Sequence, residues 1–234
     1  MKKLFRIVFL LVFFSSSFLI NIVSANALPV PFNLDLRPSV LETAYDNGDE
    51  AFVVTWGIKI FENESQKQAV ERFIDAILTY PDNWQKTGLQ FTKSQTQNKY
   101  DSLIWLRFYS DSSEIEKICM QDNSLACSQL IYIVDLGYRC YINMPEPEIK
   151  VIRFRNLEVY VMEDFYEFSF ILSHEVGHCI GLSHMGENGD LMHERISRNL
   201  KTFTFPNSKE INAVKLFMLY IQTRYKDRYI FNPL

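Results

Sequence analysis

Histidines and one glutamate in the second half of the chain are spaced for catalytic zinc chemistry. All four histidines of this 234-residue chain lie between positions 174 and 193. Three of them fit the pattern H-E-x-x-H-x-x-G-x-x-H, namely His174, His178 and His184. Glu175 and Gly181 fill the other two specified positions. Imidazole nitrogens are common zinc ligands and a neighbouring carboxylate can serve as a base, so the pattern predicts a catalytic zinc site.

Helix geometry explains how these residues can share one ion. Residues four apart on an α-helix project from the same face, so His174 and His178 can bind the same Zn²⁺. Gly181 is expected to end the helix in a left-handed conformation, and the turn returns His184 as third ligand. Three nitrogens leave the fourth tetrahedral position to water, as in catalytic sites. Glu175 can then act as general base on a zinc-activated water without ligating the metal.

Three further residues near the pattern carry separate predictions. Met192 stands eight residues after His184 and is expected beneath the metal, although core packing alone would explain a lone methionine. His193 is expected at the pocket rim or surface, because three histidines already complete an open site. Cys179 faces away from the ligand side of the helix, which predicts a buried free thiol, with a thiolate ligand as the alternative.

The remaining cysteines form a local cluster of Cys119, Cys127 and Cys140. Four cysteines in an exported chain allow three disulfide connectivities. We expect one bridge within the cluster, and the sequence leaves the full pairing of the four open.

The N-terminus resembles a secretory signal. Lys2, Lys3 and Arg6 precede an apolar run over residues 7–14, and Ala25 and Ala27 place small residues at a cleavage site. We therefore predict a signal peptide over residues 1–27, an extended lead-in over 28–49 and a catalytic domain over 50–234. The predicted location is secreted or periplasmic; the alternative is an uncleaved anchor over residues 4–23.

Charge narrows the possible partners. The formal net charge of −4 becomes −7 when three basic residues leave with the signal. An acidic surface does not favour nucleic acid or anionic membranes, so neither is expected as a partner of the mature chain. A monomer is expected.

Periodic patterns predict an α+β fold. Strand patterns occur at residues 52–61, 89–92, 103–109, 130–134, 140–143, 151–154 and 157–162, and helical spacing at 69–78. Asp164 and Glu167 form a capping box for a helix that carries the histidines, and Asn207 and Glu210 form another for a C-terminal helix. These elements predict a single domain with a mixed, twisted sheet. The three tryptophans are expected in the core.

The motif residues resemble the metzincin clan of zinc endopeptidases. His174, Glu175, His178, Gly181 and His184 match its zinc-binding consensus, and Met192 matches its Met-turn. The eight-residue step from His184 to Met192 is similar to the matrixin branch. The resemblance implies a zincin-type domain with one catalytic Zn²⁺ and identifies a divergent, minimal, bacterial-type secreted member.

Several family features are not matched. No histidine remains for the structural zinc of matrixins, their calcium-loop pattern is not evident, and no cysteine switch is present, so neither a structural zinc nor calcium is expected. Glu194 stands where astacin-like and serralysin-like branches carry a tyrosine ligand.

The resemblance also implies a polypeptide substrate bound in extended form along an edge strand. We expect that edge at residues 157–162 and the wall of the pocket at residues 193–204. The predicted function is a zinc-dependent endopeptidase. The alternatives are a catalytically silent metzincin-fold binding protein and a zinc amidase acting on a non-protein or cell-wall amide.

Overall fold

The computed structural model describes residues 38–46, 52–59, 64–96, 98–121, 123–155, 157–185, 190–194 and 200–231. The predicted signal peptide at residues 1–27 lies outside this set, so the cleavage site and the domain boundaries stay predictions. Among the described residues, no helix combines the length and the apolar character needed to span a membrane.

The described part of the chain alternates between helices and strands. In chain order the elements are α1 (Val40–Asp46), β1 (Val53–Ile58), α2 (Glu64–Leu78), β2 (Gln90–Lys93), β3 (Ile104–Tyr109), α3 (Ser112–Cys119), β4 (Cys127–Ile133), β5 (Gly137–Pro145), β6 (Ile149–Phe154), β7 (Leu157–Met162), α4 (Phe165–Cys179) and α5 (Ser208–Phe231). A short 3₁₀ helix, Trp84–Thr87, connects α2 to β2.

Five strands form one mixed sheet in the order β2-β1-β3-β5-β4. The β1–β2, β1–β3 and β3–β5 pairs are parallel, whereas β4 runs antiparallel to β5. The expected α+β fold with a mixed sheet is confirmed. Antiparallel β4 forms one edge of the sheet, because no other described strand pairs with its outer side.

The core lies between the sheet and the two 15-residue helices α2 and α4. All three tryptophans are buried as expected, and Trp56 and Trp84 are fully so. Helix α2 turns one apolar face inward, with Val70, Ile74 and Leu78 buried, as its periodicity predicts. Helix α4 is apolar on almost every side, and it packs against β4, β5 and α2. This packing places the histidine-bearing helix at the antiparallel edge of the sheet.

The extended lead-in expected over residues 28–49 is wrong where the structure describes it. Residues Val40–Asp46 form helix α1, with Val40, Leu41 and Ala44 buried. Leu41 and Ala44 lie one and four positions after Val40, a spacing that places the three side chains on one face of a helix. Helix α1 packs against β1, β5 and α5. The helix is short, so its stability comes from this packing, which the local sequence does not reveal.

The strand predicted at residues 157–162 is present, but it is not an edge of the five-stranded sheet. Strand β7 (Leu157–Met162) pairs with β6 in a separate two-stranded sheet, with Phe154 opposite Leu157. Alternating apolar residues predict a strand but do not say which strand it joins, and a tight connection favours the neighbour in sequence. The edge beside the histidines is β4.

The capping box predicted at Asn207 and Glu210 is present. Asn207 Oδ1 accepts hydrogen bonds from the backbone N–H groups of Lys209 and Glu210, and Glu210 Oε2 accepts one from the N–H of Asn207 at 2.7 Å. Asp164 precedes α4, but its side chain makes no capping hydrogen bond. Its backbone (φ −95°, ψ 45°) lies outside the extended region that a capping residue adopts.

Candidate metal centre

Helix α4 and the turn after it bring three histidines together. His174 and His178 lie one turn apart on α4, and the chain leaves the helix at Gly181, whose φ of +104° is left-handed. The reversal brings His184 back to the same side, and the three imidazoles offer nitrogens that lie within 4.8 Å of one another. His174 is buried, His178 is half-buried and His184 is exposed. One side of the cluster is therefore open to solvent.

The spacing of the nitrogens fits one tetrahedral zinc. His178 Nε2 lies 3.1 Å from His174 Nε2 and 3.2 Å from His184 Nε2. Two nitrogens bound at about 2.05 Å in tetrahedral geometry would lie about 3.3 Å apart. Neutral imidazoles are also the ligand type that zinc prefers with an open coordination position. The residues present therefore fit the ion.

Backbone carbonyls hold the first two imidazoles in the orientation that a metal needs. His174 Nδ1 lies 2.6 Å from Leu191 O, and His178 Nδ1 lies 2.8 Å from Leu182 O. A carbonyl can only accept, so each Nδ1 carries the proton and each Nε2 presents a lone pair. Burial also lowers the pKa of His174 to about 4, which keeps this ligand neutral in mildly acidic solution.

Glu175 lies in the same cleft as the histidine cluster, and its carboxyl group is buried. Burial raises its pKa to about 7, and Ser128 on β4 offsets part of this rise through its hydroxyl and its backbone N–H. Its Oε2 atom is buried without a hydrogen-bond partner. A buried acceptor of this kind costs free energy unless a ligand or water satisfies it. The arrangement suits a group that exchanges a proton with a molecule in the cleft.

Met192 packs against helix α4 at a point where a glycine makes room for it. A Cβ atom on Gly177 would lie 2.3 Å from Met192 Sδ, so any side chain there would displace the methionine. Met192 is fully buried, and its backbone N–H donates to Glu210 Oε1 at 2.6 Å. Helix α5 thus holds the turn that carries both Met192 and Leu191.

The 3₁₀ helix before β2 anchors α4 from the other side. Trp84 Nε1 donates to the carbonyl of Ser173 at 2.8 Å, and Asn83 Nδ2 donates to the Ser173 hydroxyl at 2.9 Å. Ser173 directly precedes His174 in the chain. These buried contacts set the position of the first ligand relative to the sheet.

Two disulfides join elements of the site, and one of them corrects a prediction. Cys119 pairs with Cys127, which confirms a bridge within the local cluster. Cys140 pairs with Cys179, so Cys179 is not a free thiol. Cys179 does face the protein interior, where β5 presents Cys140 to it. This bridge ties the residue after His178 to the sheet.

A cleft of about 540 Å³ runs along β4 past the histidines. Cys127, Ser128 and Leu130 of β4 form one side, and Glu175, His178 and His184 form the other. Its size lies within the range of ordinary ligand pockets. The cleft therefore brings His178, His184, the carboxyl group of Glu175 and a sheet edge to one place.

Two parts of the predicted site stay outside the cluster. Among the described residues, His193 is half-buried and is not one of the grouped ligands, and its position at the pocket rim stays a prediction. The predicted pocket wall at residues 193–204 is described only at 193–194 and 200–204, so that wall stays a prediction.

Sequence reasoning did not find the roles of Ser128, Gly177 and Glu210 at this site. No motif marks Ser128. Glu210 was predicted only as a helix cap. Of the three, only Gly177 carries a sequence signal, because a glycine is unusual inside a helix.

Comparison with known proteins gives one family. A family model described as matrixin matches residues 48–218, a span that runs from before β1 into the first part of α5. No curated protein matches the chain.

Proposed function

The chain belongs to the matrixin family, a group of zinc-dependent metalloproteases, and on this premise we propose that it is a secreted endopeptidase that cuts extended polypeptides. His174, His178 and His184 would hold one catalytic zinc, and Glu175 would be the general base. The observation that carries the proposal is the convergence of three Nε2 atoms beside a buried carboxylate in one cleft.

When bound, zinc supplies a Lewis acid that polarises the scissile carbonyl and lowers the pKa of water. The three imidazoles must then stay neutral and correctly turned. The carbonyls of Leu191 and Leu182 support both requirements for His174 and His178.

Glu175 would transfer the proton from the attacking water to the leaving group. Its carboxylate takes a proton from the attacking water as the new C–O bond forms, and then gives that proton to the leaving amine nitrogen as the C–N bond breaks. A base works best when its pKa is near the working pH, and burial moves the Glu175 pKa in that direction. The hydrogen bonds from Ser128 limit the rise of the Glu175 pKa.

Strand β4 is the proposed docking edge, in place of residues 157–162. An extended peptide can add to an unpaired edge through backbone hydrogen bonds, with alternate side chains in pockets. The outer side of β4 pairs with no other described strand, and Ser128 and Leu130 line the cleft. A peptide placed there would run past Glu175 and His184.

Export is proposed from the N-terminal sequence and agrees with the disulfides. Cys119–Cys127 and Cys140–Cys179 are the kind of bridges that persist in oxidising compartments. We also propose that the enzyme is a monomer whose partner is a polypeptide substrate and not a nucleic acid.

The test combines zinc quantification with digestion of a broad peptide library by purified protein. We expect one zinc per chain and internal cleavage, which Glu175→Gln abolishes while zinc stays bound. Glu146→Gln, an exposed glutamate outside the cleft, is the matched control and should cut normally.

Other outcomes would contradict the proposal. A zinc-loaded protein that cuts no peptide but hydrolyses cell-wall amides would be an amidase. One that cuts neither would be a silent binding protein. Activity that survives Glu175→Gln would remove Glu175 from the role of base.

A further inference from the structure

The hairpin of β6 and β7 stands apart from the main sheet. Its two strands pair with each other over their whole length and join at a turn that includes Arg155, whose φ of 54° is left-handed. Among the described elements, the principal contacts of both strands are with one another. The hairpin is therefore an outlying structure on the protein surface.

One face of this hairpin is apolar and exposed to solvent. The register sets Phe154 opposite Leu157 and Ile152 opposite Val159. Val161 lies on the same side, opposite Lys150 at the base of the hairpin. The exposed fraction rises towards the turn, from 38 % at Val161 to 61 % at Leu157 and 66 % at Phe154. Together these five side chains expose on the order of 500 Å² of apolar surface, within the range of patches that have a function.

Positive charge accompanies this face. Residues 149–162 contain Lys150, Arg153 and Arg155 against a single acid, Glu158, in a chain whose net charge is −4. Arg153 pairs with Glu158, and Lys150 pairs with Glu163 at the base of the hairpin. The guanidinium of Arg155 lies 5.6 Å from the centre of the Phe154 ring, at the very end of the hairpin. The tip thus combines large apolar groups with a cation.

We propose that this tip inserts into the headgroup region of an anionic lipid bilayer. Apolar side chains would enter the acyl boundary, while Arg155 would reach the lipid phosphates, as long cationic side chains do at membrane interfaces. The patch is smaller than the roughly 800 Å² that each partner buries in a stable protein complex. A bilayer, unlike a protein partner, does not need a surface of complementary shape. The positive charge at the tip complements the negative charge of anionic lipids.

The proposal is independent of the zinc site and revises one expectation from the sequence. Net charge argued against anionic membranes as partners, but net charge averages the whole surface. The hairpin carries the opposite sign to the chain as a whole.

The experiment is co-sedimentation with vesicles of phosphatidylcholine alone or mixed with phosphatidylglycerol. The protein is purified after export, carries Glu175→Gln and has its N-terminus checked by mass spectrometry. Vesicle binding needs no catalysis, so a failure here leaves the proposed protease function standing.

We expect binding to the mixed vesicles that falls at least tenfold in the double variant Phe154→Ser, Leu157→Ser. Arg155→Asn should weaken binding about fivefold on anionic vesicles only, because one charge is lost; asparagine tolerates the left-handed backbone there. The double variant Val134→Ser, Leu136→Ser removes exposed apolar side chains elsewhere and should bind normally. Thermal unfolding verifies that each variant is folded.

Three results would overturn the proposal. The first is that protein with an unmodified tip binds neither kind of vesicle. The second is that the Phe154→Ser, Leu157→Ser variant binds as well as the Val134→Ser, Leu136→Ser control. A dimer in analytical ultracentrifugation that the Phe154→Ser, Leu157→Ser variant dissociates would assign the face to a second copy of the chain.

Discussion

Glu210 Oε1 accepts a hydrogen bond from the backbone N–H of Met192 at 2.6 Å, and so joins the C-terminal helix to the turn that contacts His174. The carboxyl group is fully buried, and its second oxygen accepts the N–H of Asn207. Burial raises the Glu210 pKa, and the two N–H donors act against that rise. One side chain thus caps a helix and holds the segment whose Leu191 carbonyl orients His174.

Replacing Glu210 with glutamine should weaken both the fold and the metal site. The amide would turn an N–H₂ group towards one of the two backbone donors, so a buried hydrogen bond is lost at a cost of about 1–3 kcal/mol. We expect a lower free energy of unfolding in urea and a weaker zinc affinity. Glu146→Gln serves as control, and equal stability of the two variants would contradict the role of Glu210.

The histidines provide a direct test of the ligand set. His184→Ala should lose zinc, because it removes one of three converging nitrogens, with affinity reduced at least a hundredfold. His193→Ala should retain one zinc per chain. Titration with a zinc-specific chelator measures both. Loss of zinc in His193→Ala alone would mean that the structure places the wrong third ligand in the cluster.

Gly177 and Met192 should be energetically coupled. Gly177→Ala places a Cβ atom where Met192 Sδ lies, and such overpacking costs about 1–3 kcal/mol. Shortening the methionine in a Gly177→Ala, Met192→Ala double variant should relieve part of that cost. A double-mutant cycle on the free energy of unfolding should therefore depart from additivity. Strict additivity would show that the two residues do not contact each other.

The two disulfides should differ in their effect on stability. Loop-closure entropy gives about 4 kcal/mol for Cys140–Cys179, whose partners are 39 residues apart, and about 2.5 kcal/mol for Cys119–Cys127, which are 8 apart. Alanine pairs at each bridge allow a matched comparison by urea unfolding. The Cys140→Ala, Cys179→Ala protein should be the less stable of the two and should also bind zinc more weakly, because His178 adjoins the lost bridge. The reverse order would contradict this ranking.

Most features that depend on neighbours in sequence were predicted well, and the absent capping hydrogen bond of Asp164 is the exception. The four-residue step from His174 to His178 is helix geometry, and the left-handed Gly181 is a local turn. The capping box of Asn207 and Glu210 is also local. Each of these can be read from one short segment, because its energy arises within that segment.

Features that depend on distant pairing were missed or assigned wrongly. The edge was expected at β7, whose alternation is as regular as that of any strand, yet β4 takes that position in the sheet. Helix α1 was expected to be extended, since its packing partners lie far along the chain.

By itself, the sequence predicted which side chains would come together. The four-residue step along helix α4 and the left-handed turn at Gly181 were enough to group His174, His178 and His184. Only the tertiary structure decided what surrounds them. The pairing of Cys140 with Cys179, the contact of Gly177 with Met192 and the bond from Met192 to Glu210 join residues on different elements. Such contacts depend on how the helices pack on the sheet, which no local pattern specifies.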